Sequence, residues 1–172
     1  MPEAGAERLR CVGSMRPFQV ALLEPEIPQN TGSIARLCAA TGSTLHLIGR
    51  LGFRVDEKAV RRAGLDYWHL VEVRQHTDLE AFAAECPQDT WRLYSAKAER
   101  SFLEAPLSGG EALLFGKESV GLPDDVVRAH GPHVYGIPTS GAVRSINLSN
   151  AVGVVLFDAI RRVGGLEGAQ LR

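Results

Sequence analysis

No pair of cysteines in this chain is spaced for a zinc knuckle or a redox motif. Cys11, Cys38 and Cys86 are odd in number and far apart, with no CxxC, so they read as buried or incidental thiols. No apolar run approaches the roughly 18 residues of a membrane span. The opening stretch, MPEAGAERLRCVGSMRP, lacks the apolar h-region of a secretory signal. The chain is therefore expected in the cytoplasm, with no membrane partner. Neither sign of charge is in surplus: 19 Lys and Arg stand against 20 Asp and Glu, for a net charge of −1. A bulk attraction to nucleic acid is not predicted. Such a partner would need a local basic patch, on one face or shared between subunits.

Several catalytic signatures are also missing. No GxGxxG occurs, so dinucleotide binding lacks its fingerprint. Gly110–Lys117, GEALLFGK, resembles a phosphate loop, but five residues separate Gly110 from Gly116 and Glu118 stands where Ser or Thr would hold magnesium. His46, His69, His76, His130 and His133 show no HExxH or other ligand spacing, and no metal is expected. No GxSxG elbow supports a hydrolase. Internal repeats and low-complexity segments are absent.

What is present is an ordinary globular composition, 45% hydrophobic and 23% charged, on 172 residues. That length suits one domain with a sizeable core. The most organised stretch is IPTSGAVRSINLSNA, Ile137 to Ala151. Ile137 closes an apolar run, Pro138 cannot continue a strand ladder, and Thr139, Ser140 and Gly141 supply turn chemistry. Asn147 or Ser149 can cap the helix that follows. Val152, Val155, Leu156, Ala159, Ile160 and Val163 then fall on one helical face.

Before that stretch, strands and helices alternate. Residues 1–16 carry no clear period and are expected to be a disordered or mis-annotated extension, with Met15 a candidate start, ahead of a domain over 17–172. Strands are predicted at Phe18–Leu23, Thr44–Ile48, Trp68–Val73, Trp91–Ala96, Ala112–Phe115 and His133–Ile137. Helices are predicted from an Asn30 or Thr31 cap to Thr41, with Gly42 ending it, and over 56–63, 79–85 and 123–128. The class is α/β with a mainly parallel sheet and helices on both faces. Arg54, Lys58, Arg61 and Arg62 cluster on and beside the second helix, a pattern that ordinarily means a solvated face.

Three unusual loops follow strand ends: Glu24–Asn30, Gly116–Pro123 and Ile137–Asn150. In an open parallel sheet, ligands gather at the carboxyl ends of strands. The residues by themselves imply a small-ligand site of unspecified chemistry. Glu118 is expected to bond backbone N–H groups of its own glycine-rich turn.

Four stretches add a resemblance. PEIPQNTGSIARLCAATG (Pro25–Gly42), RRAGLDYW (Arg61–Trp68), LFGKESVGLP (Leu114–Pro123) and IPTSGAVRSINLSNAV (Ile137–Val152) occur in this order. The chain from about Phe18 to Arg172 resembles the SPOUT superfamily of S-adenosylmethionine-dependent RNA methyltransferases. Within it, the match is to the small single-domain TrmL type, the tRNA wobble-ribose 2′-O-methyltransferases. Two departures stand out: TSGAVR replaces a bulkier MVPDSR-like run before Arg144, and Gln29 stands where proline is common.

That resemblance implies a C-terminal deep trefoil knot, a homodimer, and S-adenosylmethionine as cofactor with S-adenosylhomocysteine as product. It implies position 34 of tRNA as substrate, in leucine isoacceptors as in the family. A 2′-O-methyltransferase for another tRNA or rRNA position, or a non-catalytic RNA-binding relative, remain the alternatives. Carried over by motif, Tyr94, Gly116, Leu122, Ile137, Ser145 and Leu148 should border the cofactor. Asn30, Arg36, Ser145 and Asn147 would be catalytic. Arginine rarely releases its proton, so Arg36 is expected to position phosphate or stabilise a developing alkoxide. Arg54, Lys58, Arg61, Arg62 and Arg144 become candidate RNA contacts.

Overall fold

The computed structural model describes residues 8–11, 17–56, 58 and 67–171. Its centre is a sheet of six parallel strands: β2 (Gln19–Leu23), β3 (Thr44–Ile48), β4 (Val73–His76), β5 (Trp91–Tyr94), β6 (Ala112–Phe115) and β7 (Val134–Tyr135). Their spatial order is β4-β3-β2-β6-β5-β7. A separate antiparallel pair joins β1 (Leu9–Arg10) to β8 (Gln170–Leu171), so the two ends of the described chain meet.

Side-chain alternation assigns each strand residue to a face. Val20, Leu22, Leu45, Leu47, Leu113 and Phe115 face helices α1 (Pro28–Thr41) and α4 (Leu148–Arg162). Ala21, Ile48, Leu93, Ala112 and Leu114 face α2 (Leu79–Glu85) and α3 (Asp124–Ala129), where Phe82 and Trp91 fill the layer. Both faces are therefore covered, as the apolar runs of these strands require. The face of α4 read from spacing is the buried one: Val152, Val155, Leu156, Ala159 and Ile160 all lie in the core. Each large aliphatic side chain so buried contributes about 1.5–3 kcal/mol. Among the described residues, no helix is long and apolar enough to cross a membrane.

Several boundaries differ from expectation, among them the strand predicted over Trp91–Ala96, which ends at Tyr94. The segment Trp68–Val73 is not a strand: Trp68–Leu70 is a short 3₁₀ turn, and the strand runs over Val73–His76. That strand lies at the sheet edge with Arg74 and Gln75 exposed, so its polar sequence hides it while apolar neighbours mimic a strand. Helix α1 begins at Pro28 with Ile27 as its cap, because proline's fixed φ and missing N–H suit the first turn. Asn30 and Thr31 lie inside it. The last strand stops at Tyr135, and Ile137 continues into a loop. The helix predicted over 56–63 falls mostly outside the described residues, although Lys58 is helical.

His46 is wholly buried in β3. Burial, with His76 beside it, pushes its pKa down to about 4, so the imidazole is neutral at pH 7.

Candidate functional site

Strand order reverses its sense between β2 and β6: β2 leads through α1 to β3 on one side, while β6 lies between β2 and β5 on the other. Crevices open at such switch points, above the carboxyl ends of the strands. Here a cleft of about 1110 Å³ opens there. It is lined by the segments after β5, β6 and β7 and by the N-terminal turn of α1. Single small-ligand pockets span roughly 300–1,000 Å³, so there is room for a cofactor and part of a second substrate.

The three loops singled out in the sequence are tied together by one carboxylate. Glu118 does not serve its own turn. Its oxygens accept from the backbone N–H of Glu26 (2.8 Å), the backbone N–H of Ile27 (3.1 Å) and Asn30 Nδ2 (3.1 Å). The reason is geometric: the β6 loop approaches the first turn of α1, whose opening N–H groups lack helical partners. The exchange is reciprocal, because Glu26 Oε2 accepts from Ser119 N–H at 3.0 Å. Hydrogen bonding from Ser119, from its side chain first and its backbone N–H second, holds the Glu26 carboxyl below its ordinary pKa. Beside it, Lys117 Nζ stands 3.1 Å from Glu24 Oε2.

Asn30 extends the connection to the third loop. Its Oδ1 accepts from Asn147 Nδ2 at 3.1 Å. Asn147 is the α4 cap, with Oδ1 accepting from Ser149 N–H at 2.9 Å and Asn150 N–H at 3.3 Å. Glu118, Asn30 and Asn147 thus form a chain of side chains across residues distant in sequence. Replacing Asn147 with alanine should cost about 1 kcal/mol through the lost cap and release Asn30. Chemical denaturation should show the loss, and an unchanged midpoint would exclude it.

The predicted residues separate into groups. Asn30, Tyr94, Gly116, Ile137, Arg144, Ser145, Asn147 and Leu148 all border the cleft. Leu122 does not; its side chain is buried in the core beneath, while its backbone lies against Gly116. Arg36 also stands apart. Six residues beyond Asn30, it lies about 240° round the helix, and its guanidinium covers the Tyr67 ring at 4.6 Å. Arg54 is exposed with Asp56 at 3.6 Å, and Lys58 is exposed. Arg61 and Arg62 lie outside the described residues.

Residues that sequence reasoning missed come from the segment after β5. Ser95 to Ser101 lines one wall. Lys97 pairs with Asp124 at 2.8 Å, and Arg100 donates to the Pro132 carbonyl at 2.8 Å. No motif marked this segment, because its partners lie beyond the next strand. Glu118 lay inside a recognised motif, but its partners could not be read from spacing.

Chemically, the cleft combines apolar walls from Tyr94, Phe115, Ile137 and Leu148 with a dense rim of backbone and amide groups. Such walls fit a flat heterocycle. Burial raises the Tyr94 pKa well above the ordinary phenol range, so it stays protonated. Among the described residues lining the cleft there is no histidine or cysteine. Those lining residues offer no imidazole base and no thiolate nucleophile, and the Glu118 carboxylate among them is engaged by Glu26, Ile27 and Asn30, so the site is built for alignment.

Comparison with known proteins places this architecture. Residues 17–157 match the model of the SpoU rRNA Methylase family. The tRNA (cytidine(34)-2'-O)-methyltransferase of Escherichia coli K12 is 44% identical over 157 residues, covering 90% of this chain and 99% of that protein. A solved structure described as giving insight into the 2-OH methylation of C/U34 on tRNA is 43% identical with a TM-score of 0.79, covering 87% of this chain and 98% of that one. An AdoMet-bound rRNA methyltransferase from Sinorhizobium meliloti shares the fold, with 24% identity and a TM-score of 0.72 over 87% of this chain and 58% of that one.

Proposed function

The chain belongs to the SpoU rRNA methylase family, and from that premise we propose that it methylates the ribose 2′-hydroxyl of the wobble nucleotide of tRNA. S-adenosylmethionine is its methyl donor, leucine isoacceptors are its substrates, and the reaction takes place in the cytoplasm. The observation that carries the reading is the Glu118–Asn30–Asn147 chain, which brings three motif loops to one cleft.

Bound S-adenosylmethionine supplies an electrophilic sulfonium methyl. Tyr94, Ile137 and Leu148 offer apolar walls for its adenine, and the backbone of the Gly116 and Ser145 loops offers polar contacts. Leu122 contributes through its backbone, which supports Gly116. The remaining volume receives the nucleotide. Asn30, held at both ends of its amide, and Ser145 at the rim orient the 2′-hydroxyl for in-line attack. Asn147 positions Asn30. Arg36, stacked outside the cleft of its own chain, is assigned to RNA phosphate. No metal enters this chemistry.

In this reading the domain spans residues 17–172, with 1–16 an extension before it. The segment from β6 onward is threaded as a deep trefoil knot. Its support is the insertion of β6 between β2 and β5 before the chain returns to β7, outside β5. Two copies form a homodimer, whose joint surface reads tRNA through Arg54, Lys58, Arg61, Arg62 and Arg144. Changing Lys58, Arg61 and Arg62 together to alanine should weaken tRNA binding and make its logarithmic salt dependence shallower by about two to three units. Filter binding across a salt series tests this, and an unaltered slope would remove the patch.

The deciding experiment uses tritiated S-adenosylmethionine and tRNA from cells lacking the corresponding gene. Alkaline hydrolysis needs a free 2′-hydroxyl, so label in a resistant dinucleotide establishes ribose methylation, and its sequence locates the nucleotide. Label in mononucleotides means base methylation and overturns the proposal. Label at another position moves the substrate, and no transfer with cofactor bound points to another RNA or to a non-catalytic relative.

A further inference from the structure

On the sheet face opposite α1 and α4, three ligating side chains converge away from the cleft. His46, His76 and Glu85 each present one ligand atom, all within 4.8 Å of one another. None of the three lines the cleft. Parallel pairing creates the arrangement: β3 and β4 align His46 with Arg74 and Ile48 with His76. Both histidines then emerge from the same face, one step apart along neighbouring strands. Their rings meet edge to edge and nearly coplanar, with centroids 5.1 Å apart and an interplanar angle of 19°. Glu85 arrives from the last turn of α2.

The nitrogen atoms are already aimed. His46 Nδ1 and His76 Nε2 face each other at 2.8 Å. On its other side, His46 Nε2 lies 2.8 Å from Gln19 Oε1. That oxygen only accepts, so the proton sits on Nε2 and the Nδ1 lone pair points at His76. This is the tautomer and outer partner that a metal-bound imidazole adopts. Two zinc–nitrogen bonds of about 2.0–2.1 Å at a tetrahedral angle separate their nitrogens by about 3.3 Å. The nitrogens must therefore separate by about half an ångström and each ring must swing so that the two lone pairs meet at a tetrahedral angle, with the His76 proton moving to Nδ1.

The carboxylate is prepared in the same way. Arg74 Nη1 holds Glu85 Oε2 at 2.8 Å, and Oε1 has no hydrogen bond among the described residues. Arg74 also holds Glu72 at 2.6 Å. Two carboxylates face one guanidinium, so the surroundings keep a net negative charge. The Glu85 side chain is 43% exposed, which leaves a path for an ion and a water.

We propose that His46 Nδ1, His76 Nε2 and one Glu85 oxygen bind a divalent ion of the zinc class, with water as fourth ligand. The ion fastens the edge strand β4 and helix α2 to β3. Two nitrogens and one oxygen suit zinc or cobalt and not magnesium or calcium. The histidines lie far apart in the chain, so no spacing rule revealed them.

The test uses the full chain after chelator treatment and dialysis. Cobalt(II) is titrated in while visible absorption is followed, and zinc(II) binding is measured by calorimetry and melting temperature. One equivalent per chain, a four-coordinate cobalt spectrum and a raised melting temperature are expected. His76→Gln and Glu85→Gln should each weaken binding at least about 100-fold, and Gln19→Met about 10- to 100-fold. Circular dichroism of each metal-free variant checks that it folds. Glu85→Gln is the safeguard, being half exposed and at a helix end. Absence of saturable binding, or binding unaltered in both ligand variants, overturns the proposal.

Discussion

Gly116→Ala should cost about 3 kcal/mol of stability, the upper part of the usual range for overpacking, and abolish cofactor binding. A Cβ at Gly116 would lie 2.1 Å from both the Gly121 carbonyl carbon and the Leu122 nitrogen. Both are backbone atoms of a turn closed by the Gly121 N–H bond to the Lys117 carbonyl at 2.8 Å. No rotamer can relieve that collision, so the loop after β6 must move. Glu118, two residues on, moves with it. Gly121 is the contrast within the same motif. Its φ of +75° favours glycine, yet a Cβ there meets nothing within 4 Å. Gly121→Asn should therefore cost only about 1 kcal/mol, the penalty of left-handed backbone. Urea unfolding and calorimetric titration of S-adenosylmethionine measure both variants. Equal midpoints for the two would show that the close approach does not constrain the loop.

Glu118→Ala should lower methyl transfer about 100-fold, comparable with removing one preorganised polar group from an active site. It strands three donors at once: the N–H groups of Glu26 and Ile27 and the Asn30 amide. Unpaired donors of this kind cost about 1–3 kcal/mol when shielded from water, and those partly exposed here fall at the low end. The loss should appear mainly in kcat, because Asn30 turns out of line while the apolar walls stay in place. Asn30→Ala, with Glu118 intact, should reproduce the fall in kcat with a smaller loss of stability. Methylation by Glu118→Ala at the wild-type rate would show that the three-loop chain is not needed for alignment.

The contrast between these residues follows the range of the interactions involved. Helix α4, its Asn147 cap and its buried face were legible because each depends on neighbours within one or two helical turns. The end of α1 at Gly42 was legible for the same reason. Central strands showed themselves as apolar runs, since both their faces are covered. The edge strand did not, because one exposed face lets arginine and glutamine into it. Four motif stretches also carried the family relationship, which the comparisons bear out.

By itself, then, the sequence determined the α/β class, the covered central strands, the last helix and the family of the enzyme. Only the tertiary structure decided the order β4-β3-β2-β6-β5-β7, the partners of Glu118, the exclusion of Arg36 from its own cleft, and the meeting of His46, His76 and Glu85. Periodicity and capping are short-range, so they are written in adjacent residues. Which loop reaches which depends on the path of the whole chain, and two side chains that meet across a sheet obey no spacing rule along it.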